Sequence, residues 1–266
     1  MAGIKWIASF PSNIQRNIPR ASAVLVLNDA ETGYPFAFLE ASQISAARTA
    51  ASAALAAQEL TGTRRAERFA VIGGGLIART VLDFLAAQGW QIGLLAVHDR
   101  EERYARHLAE HAARVLGCDT VVESSPEAAV RGSEVALLAT TAPAPYLADP
   151  QLFHPGQVVL NVSLRDLAPE VILGACNILD DVEHCMKANT SPHLAEQACG
   201  HREFVDGTLA DVLNGVVTPD RSRPIVFSPF GLGVLDLAVG ALVLGLAEKE
   251  GSALQVDGFF GETERW

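Results

Sequence analysis

Phe69-Ala70-Val71-Ile72-Gly73-Gly74-Gly75-Leu76-Ile77-Ala78 is an apolar β-type run that breaks into glycines and resumes as an apolar helix start. The stretch fits G-x-G-x-x-A at the junction of a strand and a helix. Gly73 permits the tight turn, and Gly75 lets the backbone approach a pyrophosphate. The free amides of Leu76 and Ile77 open a helix whose dipole favours that negative charge. Ala78 is small enough to keep the helix close to the sheet. The next strand runs through Ala96-Val97-His98 to Asp99, where a carboxylate about 20 residues beyond the turn accepts the adenosine ribose hydroxyls. A carboxylate there repels a 2′-phosphate, so NAD is expected over NADP, although Arg100 stands next to it.

Outward from this turn the chain alternates as βαβ units do. The pattern predicts helix 76–88, strand 91–97, helix 100–115, strand 120–122, helix 126–131 and strand 134–140, then strands at 158–162, 177–181 and 225–227. Such alternation implies a parallel sheet covered on both faces. Thr140 and Ser228, at the ends of two of these strands, complete the expected cofactor-binding set. Upstream, 3–10 reads as the middle of a strand, with a segment expected before it. Residues 22–27 and 34–39 flank the turn residues Asn28 to Gly33 as a hairpin. Residues 42–60 lack Pro and Gly and are rich in Ala, which gives a helix. The polar break Thr61-Gly62-Thr63-Arg64-Arg65 suggests a boundary. The expected fold class is α/β: a Rossmann doubly wound parallel sheet at 63–230, plus a discontinuous, partly truncated α+β substrate and dimerisation domain. That second domain comprises 1–62 with 231–266 returning to it.

The chain carries 31 acidic and 20 basic residues, a formal charge of -11, which argues against nucleic acid and anionic membrane as partners. The apolar segment 232–247 is shorter than a bilayer span and contains Asp236, so it is expected to be a buried helix. Cys118, Cys176, Cys185 and Cys199 show no C-x-x-C spacing, as expected of reduced thiols in a cytoplasmic protein. His107-Leu108-Ala109-Glu110-His111 matches a zinc-peptidase pattern, but it falls on a helix face amid Glu102, Arg103 and Arg106 and reads as solvated surface. No metal is expected.

A nicotinamide enzyme needs cations for an anionic substrate and a group that moves protons. Arg48 lies in an Ala-rich helix where a guanidinium is costly to bury without an anion. Lys5 sits in an apolar strand-like run. Asp166 follows the fifth sheet strand, near the edge where open α/β sheets bind ligands.

At these residues the chain resembles the ornithine cyclodeaminase/μ-crystallin family, and within it the branch that makes 2,3-diaminopropionate for siderophores and peptide antibiotics. The matching stretches are 3–13, Ser45-Ala46-Ala47-Arg48-Thr49-Ala50-Ala51, the Gly73 loop, Val162-Ser163-Leu164-Arg165-Asp166-Leu167 and Phe227-Ser228-Pro229-Phe230-Gly231-Leu232-Gly233. The resemblance implies that Lys5 and Arg48 grip a substrate carboxylate, with Arg165 as a further cation, and that Asp166 is the acid/base residue. It also implies a homodimer. Cyclodeaminases carry Gly-Gly-Asp-Cys-Pro-Gly-Lys-Thr-Glu at the last place, whereas this chain has Leu164-Arg165-Asp166-Leu167-Ala168-Pro169-Glu170, which speaks against ornithine cyclisation. The implied reaction is NAD-dependent oxidative cleavage of N-(2-amino-2-carboxyethyl)-L-glutamate to 2,3-diaminopropionate and 2-oxoglutarate. The alternatives are a cyclodeaminase, alanine dehydrogenase or ketimine reductase of the same fold, or a short, non-catalytic dinucleotide-binding protein.

Overall fold

The structure, a computed structural model, describes residues 1–266 other than Asn17, Thr263 and Trp266, and only the backbone of Pro11 and Ile14. In chain order its strands and helices are β1 (Ala2–Ser9), β2 (Ala21–Asn28), β3 (Pro35–Glu40), α1 (Ser42–Thr61), β4 (Arg65–Ile72), α2 (Leu76–Ala87), β5 (Gln91–His98), α3 (Glu102–Leu116), β6 (Asp119–Val122), α4 (Pro126–Val130) and β7 (Val135–Leu138). They continue with β8 (Val158–Asn161), α5 (Pro169–Leu173), β9 (Cys176–Leu179), α6 (Val182–Cys185), α7 (Ser191–Cys199), β10 (Val205–Thr208), α8 (Leu209–Leu213), β11 (Ile225–Ser228) and α9 (Gly233–Glu250). Two compact units result, Met1–Ile44 with Gly233–Trp266, and Ser45–Leu232. The polar break expected as the boundary thus lies at the end of α1, while the units divide near its start.

The larger unit is built on an eight-stranded, all-parallel sheet of order β10-β9-β11-β8-β7-β4-β5-β6. Alternate residues of each central strand bury on opposite faces, as the period of two requires. Phe69, Val71, Leu95, Val97, Leu137 and Leu160 join one core. Ala70, Ile72, Ala96, Leu138 and Val159 join the other. The strand order reverses where β4 lies between β5 and β7, the switch point at which such sheets open a crevice at their carboxyl edges. The architecture is the expected α/β Rossmann type. The eighth strand, β10, was not legible: Val-Asp-Gly-Thr has no apolar run, and its Gly207 leaves room only for Val217.

In the smaller unit β1, β2 and β3 form an antiparallel sheet in that order. Asp29 ties the β2–β3 turn by accepting the amides of Glu31 and Thr32, and Gly33 takes φ +76°. Leu25 and Leu27 bury on one face with Ile44, and the partly buried Leu237 and Leu244 pack against them. Helix α9 comes close to that face through Gly240, whose Cβ would stand 2.3 Å from the Leu25 side chain. The expectation of a buried helix here is corrected: within α9 only Asp236 and Gly240 are buried, and Val234 and Leu242 are more than 60% exposed. The stripe with Leu237 and Leu244 packs on the sheet, and the stripe with Val234 and Leu242 faces outward. No helix among the described residues is long and apolar enough to cross a membrane. The four cysteines are free.

Candidate active site

Gly73 follows β4 with φ +99°, a conformation that L side chains rarely adopt, and its Cβ would meet the Ala139 carbonyl oxygen at 2.5 Å. Gly74, the position left open by the pattern, is equally constrained: a Cβ there would lie 2.6 Å from the Tyr104 carbonyl oxygen. Gly75 is different. It is the N-cap of α2, contributes no side-chain cap, and a Cβ on it would meet nothing within 4 Å. The turn is therefore held tight by its first two glycines and open at the third, beside amides that lack a side-chain cap. That cradle fits a pyrophosphate, with Leu76 and Ile77 supplying the first helical amides.

Asp99 closes the other side of the turn. Its carboxylate accepts the Gly74 amide at 2.7 Å and the Glu101 amide at 2.9 Å. Each oxygen of an ionised carboxylate keeps further acceptor capacity, so these bonds leave room for ribose hydroxyls. They also fix where such hydroxyls would sit.

Three more expected residues lie past the carboxyl edges of neighbouring strands. Thr140, two residues beyond β7, donates its hydroxyl to Asp166 Oδ1 at 2.7 Å and accepts the Ala142 amide. Asp166 itself, five residues beyond β8, is fully buried. Burial pushes its carboxyl above the ordinary range, while hydrogen bonds from Thr140 and Tyr146 pull the other way. Tyr146 donates to Asp166 Oδ2 at 2.9 Å. Its own hydroxyl is pushed well above the usual tyrosine range by burial and by the carboxylate beside it. Ser228, at the end of β11, is buried, and its hydroxyl accepts the Asn161 amide at 3.0 Å.

Arg48 lies on the first half of α1, half-buried, with Nη2 3.5 Å from the Ser45 hydroxyl. Its guanidinium rests against Gly231, where a Cβ would come within 2.5 Å of Nη1 and where φ is +106°. The Gly231 amide is in turn held at 2.7 Å by Asp180, which also accepts the Phe230 amide at 3.0 Å. Arg165, the further cation expected for the substrate, donates to the Ala188 carbonyl at 2.8 Å, beside two non-glycine residues with φ near +55°, Ala188 and Asn189. In the smaller unit Lys5 Nζ lies 2.7 Å from Asp236 Oδ2, and Asp236 is 2% exposed. His111, from the zinc-like pattern, binds Asp83 at 2.6 Å and Arg114 at 2.9 Å, and links α2 to α3.

Tyr146, Asp180 and Asp236 escaped the sequence reading. Asp236 carried a signal, a lone acid in an apolar helix; Tyr146 and Asp180 carried none, since their partners are distant in sequence or are backbone amides.

A family model described as "Ornithine cyclodeaminase/mu-crystallin family" matches residues 1–251. The N-((2S)-2-amino-2-carboxyethyl)-L-glutamate dehydrogenase of Staphylococcus aureus is 29% identical over 256 residues, covering 94% of this chain and 76% of that protein. The crystal structure of CmnK is 32% identical with a TM-score of 0.84, over 97% of this chain and 78% of that one. The fold is also shared with the Delta(1)-pyrroline-2-carboxylate reductase of Thermococcus litoralis, solved with NADH and L-proline. That protein is 23% identical, with a TM-score of 0.88, over 96% of this chain and 80% of the other. With the family match running through both compact units, the chain belongs to the ornithine cyclodeaminase/mu-crystallin family.

Proposed function

We propose that this protein is an NAD-dependent oxidoreductase that cleaves N-(2-amino-2-carboxyethyl)-L-glutamate to 2,3-diaminopropionate and 2-oxoglutarate. The observation that carries the reading is the meeting, at one edge of the parallel sheet, of an open glycine cradle and a buried carboxylate. Gly73, Gly75, Leu76, Ile77 and Asp99 form the first, and Asp166 with its two hydroxyl donors forms the second. The similarity to the S. aureus dehydrogenase and the Ser163-Leu164-Arg165-Asp166 run support the choice of substrate.

NAD, when bound, supplies the two-electron acceptor for the glutamate α-carbon. The residues of the chain do the rest. Arg48 offers a bidentate grip for a carboxylate, with Gly231 and Asp180 fixing the wall it rests on. Lys5 offers a second cation, oriented by Asp236. Asp166 takes a proton from the water that adds to the oxidised carbon, and returns it to the amine as the carbon–nitrogen bond breaks. Arg165 holds the loop after β8 by way of Ala188. The exposed apolar face of the three-stranded sheet, carrying Ile4, Trp6, Phe36 and Phe38, supports the pairing of two copies as a homodimer.

The test is an assay of purified protein with NAD and this substrate, following the NADH band and 2-oxoglutarate together. Equal yields of the two products are expected. NADH formation from L-alanine or proline, with none from the glutamate conjugate, contradicts the assignment.

A further inference from the structure

Asp166 is held more closely than a base at a strand edge needs to be. Its two carboxylate oxygens each accept one hydroxyl, from Thr140 at 2.7 Å and from Tyr146 at 2.9 Å. The Tyr146 segment is locked to Asp166 a second time through the main chain: the amides of Tyr146 and Leu147 both donate to the Asp166 carbonyl at 3.1 Å. Leu147 also bridges Leu167 in parallel β fashion. Side chain and backbone of the 146–147 segment therefore fix both the rotamer and the position of the Asp166 loop. Thr140 is committed by its other bond, since its oxygen accepts the Ala142 amide. Tyr146 is the donor whose main chain is also tied to Asp166, so its segment holds that residue at both the carboxylate and the backbone carbonyl.

We infer that Tyr146 is a positioning residue for Asp166, holding its carboxylate in the ionised, outward-accepting form that a general base requires. The role of Asp166 as base is the reading given above, and this inference rests on it. Two lone pairs on each oxygen mean that accepting a hydroxyl from Tyr146 leaves Asp166 able to take a further proton. Burial alone pushes the carboxyl toward its neutral form, in which it cannot act as a base, and donated hydrogen bonds oppose this. The groups bearing on the pair are few. Thr140 is the neutral donor to the other carboxylate oxygen, and Glu127 acts on Tyr146 through its charge. Arg165, adjacent in sequence, is turned to Ala188. With no cation on the carboxylate among these groups, hydroxyl donors, Thr140 on one oxygen and Tyr146 on the other, are what oppose the effect of burial.

The experiment reads Asp166 directly in ligand-free protein. Carbon-13 at the aspartate carboxyl is followed by NMR against pH, and the Asp166 signal is assigned by its loss in Asp166→Asn. In Tyr146→Phe the Asp166 transition is expected to move upward by about one pH unit. Fluorotyrosine at position 146, a stronger donor of the same shape, should move it downward, which keeps the test open if the Phe variant folds poorly. Curves for all three proteins that superimpose overturn the inference. Turnover of Asp166→Asn is measured separately: full activity there removes Asp166 as the base and so defeats the functional reading, whatever the NMR shows.

Discussion

Asp99 accepts the Gly74 amide at 2.7 Å, so the end of β5 is fastened to the turn that follows β4. One carboxylate thereby shapes the turn, and in the proposed site it would also accept the ribose hydroxyls. Asp99→Ala removes an acceptor from a hydrogen bond with an ionised partner, a loss of about 1.5–3 kcal/mol where the amide is left unpaired. Calorimetric titration with NADH should show binding weakened tenfold or more, and the thermal midpoint should fall with it.

The second and third glycines of the turn make opposite predictions. A methyl on Gly74 collides with the Tyr104 carbonyl at 2.6 Å, so Gly74→Ala should lower the melting temperature and abolish NADH binding together. A methyl on Gly75 meets no protein atom within 4 Å. Gly75→Ala should melt like the parent and still lose affinity, because the methyl occupies space meant for the ligand. Equal NADH affinity in Gly75→Ala would remove the pyrophosphate from that position.

Lys5 and Asp236 form a pair that is almost wholly buried, at 14% and 2% exposure. Removing the Asp236 carboxylate takes a charged hydrogen-bond partner from Lys5, so Asp236→Ala should cost about 1.5–3 kcal/mol in chemical denaturation. Replacing both by apolar residues of similar size should recover most of that loss. The double variant should nonetheless turn over poorly if Lys5 grips a substrate carboxylate.

The pH dependence of stability follows from Asp166. Its carboxyl titrates higher in the folded chain than in the unfolded one, whose value is about 4. Between those two values the folded state holds a proton that the unfolded state has released, so its contribution to stability falls as pH rises through that window. Asp166→Asn does not titrate. The stability of the parent relative to this variant should therefore decline as pH increases above about 4, measured by urea denaturation at successive pH values. A constant difference would show that the carboxyl titrates alike in both states.

Much of this was legible in the sequence because the governing interactions are local. The glycine turn, its placement after Phe69-Ala70-Val71-Ile72 and the acid at the end of the next strand are all set by neighbours in the chain. What stayed hidden depends on distant partners. Tyr146 meets Asp166 across 20 residues, and Lys5 meets Asp236 across 231. The short helix α7 had signals that went unused, an N-cap Thr190 with a proline in its first turn. Strand β10 lacked one, since its pairing with β9 is set by the sheet and not by its own four residues.

The central claim is that the Gly73–Gly75 turn with Asp99 holds a nicotinamide dinucleotide. Isothermal titration of the folded protein with NADH tests it most directly, with Gly75→Ala as the matched control. A saturable, one-site isotherm that the control loses while keeping its melting temperature is the predicted result. No saturable heat with NADH, on protein that melts cooperatively, would contradict it.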